Sequence, residues 1–175
     1  MTDRRHEQRF EALLRDHRRI IFKVAAVYAP DADERQDLVQ EISVQLWRSF
    51  GSYDERRASL STWIYRIALN VAISQLRRRN GALARRLDPL EAHHLETIGG
   101  GEGVESEDER LTELYAFIGE LDALNRALIL LYLEERSHAE IAEILGITPT
   151  NVATKISRIK RTLRDRMVAA DITGA

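Results

Sequence analysis

The 175-residue chain has a formal net charge of −2, with 31% charged residues, 6% aromatic residues and three prolines, a composition that suits a soluble, largely helical protein of one medium or two small domains. It contains no cysteine, which excludes disulfides and thiolate metal sites and fits a reducing compartment. The longest apolar run, Ala127 to Leu133, falls far short of the roughly 20 residues that span a bilayer, and no apolar core follows the arginines of "MTDRRHEQRF"; no membrane insertion and no signal peptide are expected, and a cytoplasmic protein is the default.

Taken in chain order, Glu7 to Tyr28 carries Phe10, Leu13, Leu14, Ile20, Ile21, Val24 and Val27 near helical spacing, and Pro30 follows its end. The next segment, "DLVQEISVQLWRSF", predicts an amphipathic helix. Val39, Ile42, Leu46 and Phe50 form its stripe, Leu38 and Trp47 lie beside it, and Asp37, Gln40, Glu41, Gln45 and Arg48 are left outward. A polar break, "GSYDERRAS", precedes a third helix from about Ser61 to Arg79, in which Ile64, Ile67, Ala68, Val71 and Leu76 can pack. Between Arg56 and Arg79 stand Arg56, Arg57, Arg66, Arg77, Arg78 and Arg79 without an acid among them.

"LETIGGGEGVESEDE" then divides the chain. Its glycines lose entropy on ordering and its acids repel, so residues 82–108 read as a flexible acidic linker. Between Asp88 and Glu109 there are eight acids and no Lys or Arg. His93 and His94 lie at the linker's edge with no matching ligands and read as surface residues. The expected organisation is therefore all-α: small helical bundles at 1–81 and 109–175 joined by that linker. Period-two alternation and internal repeats are absent.

In the second half, Ser137 with Glu140 three residues later forms a capping box. Ile141, Ile144 and Leu145 point inward, and Gly146 permits a turn. Thr148 is an N-cap and Pro149 occupies the first helical position. The following helix has Val152, Ile156, Ile159 and Leu163 at spacings of four, three and four. Two short helices around a Gly-containing turn make a helix-turn-helix. Opposite the apolar stripe lie Thr150, Thr154, Ser157, Arg158 and Arg161, with Lys155 and Lys160 on the flanks. Hydroxyls and long cations of this kind meet base edges and phosphates together. The alternative is a helical hairpin with a solvated basic face.

"DLVQEISVQLWRSFGSYDERRASLSTWIYRIALNVAISQLRRR", followed after the linker by "LILLYLEERSHAEIAEILGITPTNVATKISRIKRTL", resembles a bacterial extracytoplasmic-function (ECF) sigma factor of RNA polymerase. The resemblance covers nearly the whole chain, and its most specific parts are "DLVQE", "TWIYRIALN" and the helix-turn-helix. It implies an initiation factor whose first domain binds core RNA polymerase and opens the promoter at the minus-ten element, while the second reads the minus-thirty-five element as duplex.

Carried over by motif, the face that docks on the polymerase is Asp37, Gln40 and Glu41, helped by Gln45 and Arg48. From the residues alone that face could equally be solvated, or Asp37 and Glu41 could be a metal pair lacking a third ligand. Tyr53 and the loop to Ser61, including Arg56 and Arg57, match the part that receives a flipped-out base. Trp63, Tyr65, Arg66 and Asn70 match the melting and minus-ten recognition helix, with Trp63 and Tyr65 open to a partly core role. Arg77, Arg78 and Arg79 are expected to hold phosphates without reading sequence. In the family the linker runs through the polymerase cleft, where an anionic segment mimics nucleic acid. It could also cover the basic surfaces of the free protein, or be a simple spacer.

The resemblance further implies an anti-sigma protein as partner, no cofactor, no metal and no enzymatic activity. Nor does the sequence itself offer a nucleophile–base pair, a phosphate-cradling Gly loop beside a Lys, or a metal-ligand cluster. The competing expectation is a helix-turn-helix regulator that never engages core polymerase. It leaves "DLVQE" and "TWIYRIALN" without a role.

Overall fold

The computed structural model describes residues 2–86 and 106–173. Regular structure among these is entirely helical: α1 (Thr2–Tyr28), α2 (Ala32–Phe50), α3 (Leu60–Arg86), α4 (Ser106–Glu120), α5 (Ala123–Leu133), α6 (His138–Leu145) and α7 (Pro149–Thr173). The chain divides into two compact units, Met1–Gly103 and Val104–Ala175. Most of the expected acidic linker, with His93 and His94, lies outside the described residues. Both flanking helices reach into the expected linker range: α3 continues past residue 81 to Arg86, and α4 begins at Ser106. Ala, Leu and Arg, which dominate "GALARR", are strong helix formers.

In the first unit α1, α2 and α3 pack pairwise into a bundle. The chain leaves α1 at Ala29–Pro30, where Arg35 donates to the Ala29 and Pro30 carbonyls at 3.1 and 3.0 Å. Asp31 then caps α2, its carboxylate accepting from the Asp33 amide at 2.8 Å. Leu38, Ile42, Leu46 and Phe50 form the buried stripe of α2. Leu38 therefore takes the position expected of Val39, which is half-buried; spacing of four throughout keeps one line of side chains against both neighbours.

Because α3 is covered by both α1 and α2, its buried arc is broad and holds Ile64, Tyr65, Ala68, Leu69, Ala72 and Leu76. Ile67 and Val71, expected to pack, fall at the margin of this arc and are half-buried.

The second unit is built around α5, whose Asp122 cap accepts from the Asn125 amide at 2.8 Å. Ala127 to Leu131 are all buried, as a helix apolar around its circumference requires, and α6 and α7 pack on it and on each other. The Arg126 guanidinium donates to the Leu121 carbonyl at 2.9 Å and to the Gly119 carbonyl, satisfying acceptors at the end of α4.

Candidate docking and nucleic-acid surfaces

Asp37, Gln40, Glu41, Gln45 and Arg48 lie on the outward side of α2 and are all exposed, as the amphipathic pattern dictates. Two apolar side chains accompany them: Val44 and Trp47 are 42% and 38% exposed. Trp47 is held from behind by an aromatic cluster, edge-on to Phe10 at 5.0 Å and 5.3 Å from His6, with Phe50 4.9 Å from His6. Neither Val44 nor His6 was expected in this surface from the sequence. Val44 could have been found from its position between Glu41 and Arg48 on the outward arc; nothing local marks His6, since its partners lie on another helix.

The polar break between α2 and α3 is ordered by short-range bonds. The Asp54 carboxylate accepts from the Arg56 amide at 3.0 Å and lies 3.9 Å from the Arg57 guanidinium. Ser59 caps α3, accepting from the Thr62 amide at 3.3 Å while its hydroxyl donates to the Thr62 hydroxyl at 2.9 Å. The Tyr53 hydroxyl donates to the Ala58 carbonyl at 3.2 Å, and its ring lies 5.0 Å from that of Trp63. Burial pushes the Tyr53 phenol above its ordinary 10.0, with the nearby Glu55 and Asp54 charges adding to the rise. Tyr53 and Trp63 are both half-buried, Ser61 and Arg66 likewise, and Arg56 and Arg57 are exposed. The loop thus presents a paired aromatic surface edged by guanidinium groups.

One expected contact is corrected. Tyr65 is 1% exposed and belongs to the bundle core. It sits one helical step from Ile64 and four residues before Leu69, inside the arc that α1 and α2 cover, so its ring cannot reach a nucleic acid in this fold. Asn70 lies outside that arc and is exposed, as are Arg77 and Arg78.

The three arginines at 77–79 differ. Arg79 returns to the inner arc three residues past Leu76 and meets the Glu34 carboxylate of α2. Arg78 lies 3.5 Å from Glu41, and Arg77 faces solvent. An open groove between α2 and α3 is lined by Glu41, Gln45, Ile67, Asn70, Val71, Ser74 and Arg78. Residues expected to dock on polymerase and residues expected to touch minus-ten DNA therefore line one groove.

In the second unit the helix-turn-helix forms as its caps require. The Ser137 hydroxyl accepts from the Glu140 amide at 3.1 Å and Glu140 accepts from the Ser137 amide at 2.9 Å. Gly146 is left-handed, with φ 69°, and the Ile147 amide donates to the Ala142 carbonyl at 3.2 Å. The Thr148 hydroxyl accepts from the Asn151 amide at 3.1 Å at the start of α7. Val152, Ile156 and Ile159 are buried. Thr150, Thr154, Ser157, Arg158 and Arg161 are exposed, and Lys155 is half-buried. Two details sharpen this face. The Thr154 hydroxyl donates to the Thr150 carbonyl at 3.0 Å, leaving its lone pairs to the outside. Lys160 is drawn over the Tyr132 ring at 4.2 Å, so it serves the fold.

This geometry is matched in known families. Residues 13–81 match Sigma-70 region 2, and residues 111–163 match Sigma-70, region 4. The ECF RNA polymerase sigma factor SigW of Bacillus subtilis (strain 168) is 30% identical over 142 residues, covering 77% of this chain and 75% of that one. The chain belongs to the ECF sigma factors. RNA polymerase sigma factor SigV of the same organism is 24% identical over 161 residues, covering 90% of each chain. The structure of CnrH in complex with the cytosolic domain of CnrY superimposes with a TM-score of 0.66 at 20% identity, over 93% of this chain and 90% of that one, which agrees in fold.

Placed on this ECF sigma factor, the region 2 match takes in most of α1, all of α2 and the α2–α3 loop, and α3 as far as Gly81. The region 4 match runs from within α4 into α7 as far as Leu163. Among the described residues no helix is long and apolar enough to cross a membrane, and no group of three or more His, Asp or Glu side chains is placed to hold a metal ion.

Proposed function

We propose that this ECF sigma factor docks on core RNA polymerase through Asp37, Gln40, Glu41, Gln45 and Arg48, with Val44 and Trp47 as the apolar centre of the contact. An amphipathic helix that keeps carboxylate and amide groups exposed around a braced indole has the makeup of a protein interface, with an aromatic anchor and a polar rim. The unit comprising α1–α3 then opens the minus-ten element. Extruding a base takes a few kcal/mol, and stacking on an aromatic surface returns about 1–3 kcal/mol per base. The Tyr53–Trp63 pair supplies that surface, and Ser61 lines its approach. Asn70 and Arg66 offer hydrogen bonds to base edges, and Arg56, Arg57, Arg77 and Arg78 hold phosphates.

The helix-turn-helix reads the minus-thirty-five element with α7 in the major groove. Arg158, Arg161 and Lys155 meet phosphates or guanine edges, and Thr150, Thr154 and Ser157 meet bases. Thr154, with its proton given to Thr150, acts as an acceptor and suits an exocyclic amino group. The chain itself performs no chemistry; the polymerase does. It acts in the cytoplasm, and a partner protein that covers these faces, as an anti-sigma factor does, holds it inactive; the complex of CnrH with CnrY, a protein of similar fold, is consistent with such a partner.

The observation that carries the reading is the exposed hydroxyl-and-arginine face of α7, in a fully capped helix-turn-helix, on the same chain as the exposed α2 face. Run-off transcription with core enzyme and a library of linear promoters tests it. Defined start sites with two recovered sequence elements are expected. Tight duplex binding without any promoter specificity conferred on core enzyme would replace the reading with a regulator that works apart from polymerase.

A further inference from the structure

Glu41 has two prospective partners. It stands on the α2 face assigned to polymerase docking, and its carboxylate is already 3.5 Å from the Arg78 guanidinium on α3. Arg78 in turn stands beside Asn70 in the groove between the helices, on the side of α3 assigned to the minus-ten strand. A carboxylate engaged with a polymerase cation, or buried under a docked partner, is lost to Arg78; a guanidinium engaged with a phosphate is lost to Glu41.

We infer that Glu41 is a positioning residue for DNA binding: in the free protein it holds Arg78 back from phosphate, and docking on polymerase takes Glu41 away and frees that cation for the minus-ten strand. The inference rests on the functional reading above. The neighbouring arginines set the contrast. Arg79 is committed to Glu34 and stays with the fold, while Arg77 faces solvent. Arg78 alone of the three is conditional. Its side chain is 69% exposed and that of Glu41 50%, so the restraint is of the modest size found for solvent-screened pairs. It therefore tunes affinity by a few-fold and does not act as an all-or-none gate.

The experiment uses the full chain without polymerase. Binding to a fluorescent single-stranded minus-ten oligonucleotide is measured by anisotropy across a range of salt, for wild type, Glu41→Gln, Arg78→Gln, the double variant and Asp37→Asn. Asp37→Asn removes the same charge one helical turn away from Glu41.

Glu41→Gln is expected to bind about two- to five-fold more tightly than wild type. Its salt dependence should steepen by close to the roughly 0.7 that one single-strand phosphate contact contributes. Asp37→Asn should change affinity less, and Glu41→Gln should have no effect when Arg78 is already Gln. Equal affinity and slope for wild type and Glu41→Gln would overturn the inference. So would an effect of Glu41→Gln that persists in the Arg78→Gln background, since that marks a general charge effect. Run-off transcription by wild-type protein with core enzyme, performed alongside, reports separately on the functional reading, so that each can fail without the other.

Discussion

Arg79 on α3 and Glu34 on α2, 45 residues apart in sequence, form a part-buried ion pair that ties the two helices together. Arg79 falls three residues after Leu76 and seven after Ala72, both buried, which brings its stem over the core and its head to the α2 carboxylate. With both side chains roughly a third or more exposed, the pair contributes about 1 kcal/mol at low salt. Glu34→Gln should lower the urea midpoint accordingly without changing the slope of the transition, and about 1 M salt should remove most of the difference between variant and wild type.

Buried Tyr65 and exposed Asn70, proposed above to touch the minus-ten strand, should separate folding from binding on a single helix. Tyr65→Ala is expected to destabilise the first unit by about 3–5 kcal/mol, since it empties a fully buried aromatic site. Asn70→Ala should leave stability within about 0.5 kcal/mol and weaken binding to the minus-ten single strand several-fold. Denaturation and anisotropy on the same preparations give both readouts. A Tyr65→Ala protein of normal stability would contradict the core placement.

Two helix ends in the second unit share a backbone solution and differ in the residue that adopts it. Gly146 has φ 69° after α6, and Glu135 has φ 58° after α5. At the second end the Arg136 amide donates to the Leu131 carbonyl at 3.1 Å and the Glu135 amide to the Tyr132 carbonyl at 3.0 Å, a Schellman closure. Beyond its own chain neighbours, nothing lies within 4 Å of where a Cβ on Gly146 would stand. The expected loss of about 1–2 kcal/mol for Gly146→Ala is thus conformational. Glu135→Gly should run the other way, gaining about 0.5–1 kcal/mol. Thermal unfolding of the two variants checks both signs.

The exposed face of α7 predicts two distinguishable binding defects. Arg158→Ala and Arg161→Ala should each weaken minus-thirty-five duplex binding. Where the lost contact is to phosphate, the loss should be uniform across sequences and the salt slope should fall by about one. Thr154→Val keeps charge and shape while removing the acceptor, so it should leave the salt slope unchanged and alter preference at a single base pair. Competition binding against single-substitution duplexes measures this.

The Tyr53 phenol gives a prediction in pH. Its folded value lies above 10.0 because burial and the Glu55 and Asp54 charges disfavour the phenolate. The stability linked to it is fully present below about pH 10 and is lost as pH rises through the raised folded value. At neutral and mildly alkaline pH the donation to Ala58 should hold. A difference ultraviolet titration of wild type against Tyr53→Phe should therefore show the missing phenol ionising later than a free tyrosine.

Elements with local causes are legible in the amino-acid order alone. The Ser137–Glu140 box, Gly146, Thr148 and Pro149 lie within one short stretch, and each acts on backbone groups at most a few residues away. The helix-turn-helix and its outward face follow from them directly. The same holds for the polar side of α2, since amphipathic periodicity fixes what faces out.

Which arc of α3 faces inward, and what its arginines meet, was settled only by packing. That helix is covered by two partners, so its buried arc is wide, and a run of Ile, Tyr, Ile, Ala, Leu, Val and Ala fits several rotations of the wheel about equally well. Contact with α1 and α2 chose the rotation that buries Tyr65 and Leu69, left Ile67 and Val71 at the groove, and turned Arg79 toward Glu34 and Arg78 toward Glu41. Those pairings join residues 45 and 37 positions apart. They arise from interhelix geometry, which no local periodicity encodes.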